Sequence, residues 1–170
     1  MVVRRIDTPD AMEELGRELG ATLRAGDLLV LSGALGAGKT TLTRGIGEAL
    51  GVRGPVTSPT FVLARTHPSL VGGPPLVHVD AYRLGSALEL DDLDIDFDGS
   101  VVVVEWGSGM LDGVAESWLD VAIDRPTGAG ADEFGAAEFG ADESGGDESE
   151  PRTVTVTGRG PRWAAKSSWS

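Results

Sequence analysis

The sequence has no cysteine, a single tyrosine, and only two lysines among its fourteen basic residues. Lack of cysteine excludes disulfides, thiolate metal sites and a cysteine nucleophile, and it suits a reducing cytosol. Long apolar runs are missing too. Stretches such as Val101 to Val104 fall far short of the roughly 20 residues needed to span a bilayer. Residues Met1 to Asp10 carry Arg4 and Arg5 with no apolar segment behind them, so this end does not read as a signal peptide. A cytoplasmic protein without a membrane span is expected.

Positive charge is also scarce. The net charge is −13, and Thr127 to Glu150 alone holds eight acids and no Lys or Arg, which leaves −5 for the rest of the chain. Gripping nucleic acid requires clustered Lys and Arg to release counterions, so strong direct nucleic-acid binding is not expected. Because lysine occurs only at Lys39 and Lys166, the placement of Lys39 is informative.

The 170 residues are 41% hydrophobic and 24% charged, enough for one domain with a proper core. That domain is expected over residues 1–160. It is interrupted at 127–150 by a Gly, Ala, Asp and Glu stretch too poor in apolar residues to offset the entropy of ordering. Residues 161–170 read as a loose tail.

Val2 to Ile6 reads as a strand, and Thr8-Pro9-Asp10 as a helix start with a capping threonine and proline at the first helical position. Met12, Leu15, Leu19 and Leu23 recur at helical spacing, with an expected end near Gly26. Asp27 to Ser32 is a buried-strand run. Lys39 to Leu50 reads as a helix capped by Gly51, its Gly45 and Gly47 implying close packing against the sheet. Strands are expected at Phe61 to Arg65, Leu76 to Asp80, Val101 to Glu105, Trp118 to Ile123 and Thr153 to Thr157. A short helix is expected at Ser86 to Leu93, and His67 to Pro75 is expected to be a loop.

Between the second strand and the second helix, Gly33, Gly38, Lys39 and Thr40 satisfy the phosphate-loop pattern G-x-x-x-x-G-K-S/T. Each residue type has a task. Glycines allow backbone conformations that aim consecutive N–H groups inward as an anion nest. The helix adds its positive N-terminal end. Lysine reaches the terminal phosphates, and the threonine hydroxyl serves a magnesium ion. Gly36 and Ala37 complete the loop. Such a site needs an acid for magnesium. Two strand ends compete, Asp80 and Glu105, and parallel strands place both beside the loop.

Gly33-Ala-Leu-Gly-Ala-Gly-Lys-Thr-Thr41, then Ser58-Pro59-Thr60-Phe61, then His78-Val-Asp80-Ala-Tyr82-Arg83-Leu84, then Glu105-Trp106, together resemble the bacterial TsaE (YjeE) ATPases in order and spacing. The resemblance implies an α/β, P-loop NTPase-like fold with a central, mostly parallel mixed sheet and helices on both faces. It implies an ATPase that consumes ATP with Mg2+ to reset a TsaB–TsaD-type complex, which installs threonylcarbamoyl on tRNA adenosine while the partners hold the tRNA. It also implies Lys39, Thr40 and Thr41 at phosphate, Thr40 and Glu105 at magnesium, and Asp80 required, positioning the attacking water or sharing the metal. Thr57, Ser58, Pro59 and Thr60 form a switch-like loop by the same resemblance. Trp106, Ser108, Arg152 and Pro9 fall where the family has further nucleotide contacts. Ala34 stands where the family usually has aspartate, and Gly107-Ser108-Gly109 departs from the family after Glu105-Trp106. Two rival readings remain at this stage, a nucleotide-dependent binding module without turnover and a small-molecule kinase.

Overall fold

The computed structural model describes residues 1–34, 36–57, 64–81, 93–105, 115–125 and 151–164. Local chemistry starts the first helix as the sequence dictates. Thr8 has extended backbone and accepts the Ala11 N–H on Oγ1 at 3.1 Å, and Pro9 opens α1 (Pro9–Gly20). The helix ends at Gly20 rather than near Gly26. Beyond it, Thr22 and Leu23 donate to the carbonyls only three residues back, and the Thr22 hydroxyl takes the Leu19 carbonyl at 2.8 Å. These tighter bonds end the α-helical ladder while leaving Leu23 buried in the core. Gly26 belongs instead to the next turn, at φ +93° with its N–H on Ser100 O.

The second helix, α2 (Lys39–Leu50), ends at Gly51 in the left-handed conformation, φ 70°. Its glycines divide their labour. Gly47 faces Val52, Val56 and Leu76, whereas Gly45 faces the first helix, not the sheet. A Cβ on Gly45 would run into the Glu13 carbonyl, and one on Gly16 into the Leu42 carbonyl, so the helices cross backbone against backbone.

The strands are β1 (Val2–Ile6), β2 (Leu28–Gly33), β3 (Ala64–His67), β4 (Leu76–Asp80), β5 (Val101–Glu105), β6 (Trp118–Asp124) and β7 (Arg152–Arg159). They form one sheet in the order β1-β7-β6-β2-β5-β4-β3. Pairings β2–β5, β2–β6 and β4–β5 are parallel, while β1–β7, β6–β7 and β3–β4 are antiparallel. The sheet is therefore parallel at its centre and antiparallel at its margins rather than mostly parallel. β5 is buried at every position, as its unbroken run of valines requires, and β7 alternates as its Thr-Val pattern requires. The acidic stretch joins two antiparallel neighbours, with Asp124 opposite Thr153, so it leaves the β6–β7 register intact.

Leu29, Leu31, Leu76, Val101, Val103 and Val121 pack with the apolar faces of α1 and α2. Leu28, Val30, Val77, Val79, Val102 and Val104 cover the opposite face, against Leu93, Ile95, Phe97 and Trp118. Among the described residues both helices thus lie on one side. The expected Ser86–Leu93 helix, apart from Leu93, lies outside the described residues, as do 127–150, 165–170 and residues 61–63 of the expected third strand. No helix among the described residues is long and apolar enough to cross a membrane.

His67 closes β3 rather than lying in a loop. Pairing with Leu76 extends the strand to the residue before Pro68, and the ring is buried with Nδ1 3.3 Å from Arg53 O. Burial lowers its pKa below the ordinary 6.5, with His78 and Arg65 adding to the shift and the Arg53 carbonyl opposing it. Folding therefore favours the neutral ring. That contribution is whole above pH 6.5 and is lost as pH falls through the folded-state value. Urea unfolding of His67→Leu is expected to lose stability less steeply than the wild type below pH 6.5. Equal slopes would mean that His67 carries none of the acid sensitivity.

Candidate functional site

The site grows out of one junction, the passage from β2 into α2. Gly33 (φ 154°), Gly36 (φ 75°) and Gly38 (φ 111°) adopt backbone conformations that side chains resist, and a Cβ on Gly33 would press against Ile123 O. Gly38 has no side-chain cap, and α2 carries no acid in its first turn. The Leu42 N–H donates to Gly38 O at 2.9 Å, which ties the loop's last glycine into the first turn. The first amides of any helix lack partners within the helix itself. Both threonines are half-buried at this end. The Met12 side chain of α1 packs onto Gly38, so the first turn of that helix, opened by Pro9, backs the loop.

Lys39 is buried, and its ammonium donates to the carbonyls of Gly33 at 2.8 Å and Ala34 at 3.0 Å. Burial lowers its pKa, and the negative charges of Glu105 and Asp80 oppose that shift. Register explains why these three groups meet. β4 and β5 are parallel neighbours with Asp80 directly opposite Glu105, and β5 is parallel to β2, which leads into the loop. All three strands therefore end at one edge of the sheet. Asp80 shares the face of Leu76, and Glu105 that of Val101 and Val103, which is the face covered by α2. Glu105 is nearly inaccessible, whereas Asp80 is half-buried.

Two arginines flank the loop from the other side. Arg152, buried at the start of β7, donates Nη2 to Gly36 O at 3.1 Å. Arg125 follows β6, and its Nη1 lies 3.6 Å from where a Cβ of Gly36 would stand. Arg125 belongs to no motif. Its signal in the sequence is its position just past a strand whose parallel pairing with β2 is a tertiary fact. Thr57 is exposed and accepts a hydrogen bond from Arg65 Nη1 at 2.9 Å. Ser58, Pro59, Thr60, Trp106 and Ser108, with Tyr82 and Arg83, lie outside the described residues.

The geometry suits a polyanion carrying a hard divalent cation. Positive-φ glycines, a helix start without a side-chain cap and a buried ammonium could hold an anion, while the Thr40 hydroxyl and two carboxylates could offer oxygen donors to a cation. Among the described residues no group of three or more His, Asp or Glu is placed to hold a metal. A magnesium ion held by one or two carboxylates plus phosphate needs no such group.

These features define a class: a mixed α/β protein with a glycine-rich loop at the carboxyl ends of its parallel strands, beside two carboxylates in register. Residues 6–131 match the family described as threonylcarbamoyl adenosine biosynthesis protein TsaE. The chain belongs to the TsaE family. It is 58% identical over 156 residues to the tRNA threonylcarbamoyladenosine biosynthesis protein TsaE of Streptomyces coelicolor, covering 90% of this chain and 94% of that one. The Bacillus subtilis protein of the same description is 37% identical over 130 residues, covering 76% and 79% of the two chains. The crystal structure of Bacillus subtilis YdiB superposes with a TM-score of 0.66 at 29% identity, covering 95% of this chain and 88% of that one.

Proposed function

We propose that this chain is a magnesium-dependent, P-loop ATPase of the tRNA threonylcarbamoyladenosine machinery. It acts in the cytoplasm and hydrolyses ATP to ADP and phosphate to support turnover of a TsaB–TsaD-type complex. The observation that carries this reading is that Lys39, buried at the head of α2, lies within electrostatic reach of both Asp80 and Glu105. Family membership and the relatives' names support the pathway, and the acidic character of the chain suits a subunit whose partners hold the tRNA.

In this reading the amides from Gly36 to Thr41 and the Lys39 ammonium hold the β- and γ-phosphates. Thr40 and Glu105 hold magnesium, and Asp80 positions the attacking water or shares the metal. Bound magnesium supplies charge neutralisation on the phosphates, the main demand of phosphoryl transfer. Arg152, by fixing the Gly36 carbonyl, keeps the loop in its cradle shape. Trp106, Ser108 and Pro9 are proposed contacts for the rest of the nucleotide, and Thr57 to Thr60 the segment that responds to its γ-phosphate.

The test is co-purification with the TsaB–TsaD-type pair with and without ATP, followed by phosphate release. ATP is expected to tighten the complex, and release is expected to rise above that of the chain alone. Release held at background while ATP still tightens the complex would make this a binding module. A phosphorylated acceptor in place of free phosphate would make it a kinase. Glu105→Ala is expected to reduce the magnesium-dependent gain in nucleotide affinity by on the order of tenfold or more while sparing magnesium-free binding. Equal losses in the two titrations would make Glu105 a structural residue.

A further inference from the structure

His78 lies in the middle of β4 at 0% exposure, and no step proposed above uses it. Its register neighbours are Val103 on β5 and Arg65 on β3. Leucine or valine would fill such a place without cost, as Leu76 and Val103 do on the same face. Instead the site holds an imidazole, and neither ring nitrogen has a hydrogen-bond partner among the described residues. Buried polar atoms are almost always paired, so a pair of orphaned nitrogens in a sheet core calls for a reason.

The reason lies on the next strand. Nε2 of His78 stands 3.0 Å from Oε1 of Glu105, and that oxygen is equally buried and equally without a hydrogen bond. The separation is that of a hydrogen bond, and only the alignment is missing. Small rotations of ring and carboxylate satisfy both atoms at once. Catalytic-site hydrogen bonds are often misaligned before the substrate arrives and tighten in the complex. The other charged groups facing this ring are disposed differently. The Arg65 guanidinium is committed to Thr57 Oγ1 at 2.9 Å, His67 hydrogen-bonds Arg53 O, and Asp80 stands at the strand end.

We infer that His78 is a positioning residue for Glu105: its Nε2–H donates to Oε1 and holds the carboxylate in the rotamer that offers its other oxygen to a divalent cation. This rests on the reading of Glu105 as a magnesium-holding carboxylate. The carboxylate in turn selects the Nε2-protonated form of the ring, the mutual arrangement by which outer partners orient metal-holding groups.

The experiment is calorimetric titration of the full chain with a non-hydrolysable ATP analogue at increasing magnesium, and again in chelator. His78→Leu is expected to raise the magnesium concentration for half-maximal enhancement about tenfold or more, leaving affinity in chelator unchanged. His78→Gln, whose side-chain amide N–H reaches the place of Nε2, is expected to recover most of the loss. His78→Met provides the same deletion in a more adaptable shape should the leucine variant not fold, with thermal melting by circular dichroism as the check. A leucine or methionine variant with wild-type magnesium dependence overturns the inference. So does a well-folded glutamine variant as impaired as leucine. A wild type whose nucleotide affinity ignores magnesium overturns the Glu105 reading and this inference together, whereas a responsive wild type beside an unaltered deletion variant removes this inference alone.

Discussion

Lys39→Ala is expected to abolish tight ATP binding and, with it, the stabilisation that nucleotide confers on the fold. A ligand at a thousand times its Kd stabilises the native state by about 4 kcal/mol, which for a chain of this size corresponds to a melting shift on the order of 10 °C. That shift should vanish in the variant. The reason is electrostatic. Lys39 is held off solvent, and its ammonium donates to two backbone carbonyls, Gly33 O and Ala34 O. Carbonyl dipoles are weak partners for a full charge, and burial lowers its pKa despite the opposing pull of Glu105 and Asp80. Phosphate oxygens would replace the carbonyls with formal negative charge and push the pKa back up. Binding then takes up a proton at any pH where the lowered pKa has let the Lys39 ammonium begin to titrate. ATP affinity is therefore expected to fall as pH rises through the lowered pKa of Lys39, and Lys39→Ala to lack this dependence. Unchanged calorimetric affinity in the variant would remove the cradle assignment.

The second large effect concerns stability. An exposed glycine within a helix gains about 1 kcal/mol when replaced by alanine. For Gly45 the sign is expected to reverse, with Gly45→Ala losing about 2 kcal/mol in urea unfolding, because overpacking against rigid neighbours costs about 1–3 kcal/mol. The obstacle is backbone. The new methyl group meets the Glu13 carbonyl and lies 3.0 Å from Arg17 N, atoms that cannot rotate away as a side chain can. Separating the helices would open the packing of Met12, Leu15 and Leu42, all nearly inaccessible. Because Met12 also packs onto Gly38, nucleotide binding should weaken alongside stability. A stabilised variant would show that the helix crossing is looser than its glycines imply.

Much of this molecule was legible residue by residue. Thr8 and Pro9 announce a helix start because capping and a fixed proline φ act within a few residues. The valine run from Val101 and the Thr-Val alternation after Thr153 reveal strands because side-chain periodicity is a local property. Where expectation and structure part, bonds and contacts that the apolar periodicity does not encode decide. His67 joins β3 because Leu76 is there to pair with it. Helix α1 stops at Gly20 although the apolar spacing runs on to Leu23, because three-residue-back bonds take over where the chain turns toward β2. Gly45 faces α1 rather than the sheet because of where the helices cross.

The same division runs through the candidate site. Residue type and short spacing alone made legible the glycine-rich loop after β2, the lysine and threonine that follow it, and two acids at strand ends. The tertiary structure alone decided that β4 and β5 are parallel neighbours in a register that sets Asp80 opposite Glu105, that His78 is buried against that carboxylate, and that Arg125 and Arg152 close on Gly36 from strands far along the chain. A spacing pattern reports which face of one strand a residue occupies. It carries no information about which strand lies alongside, because strand order is selected by the packing of the whole core.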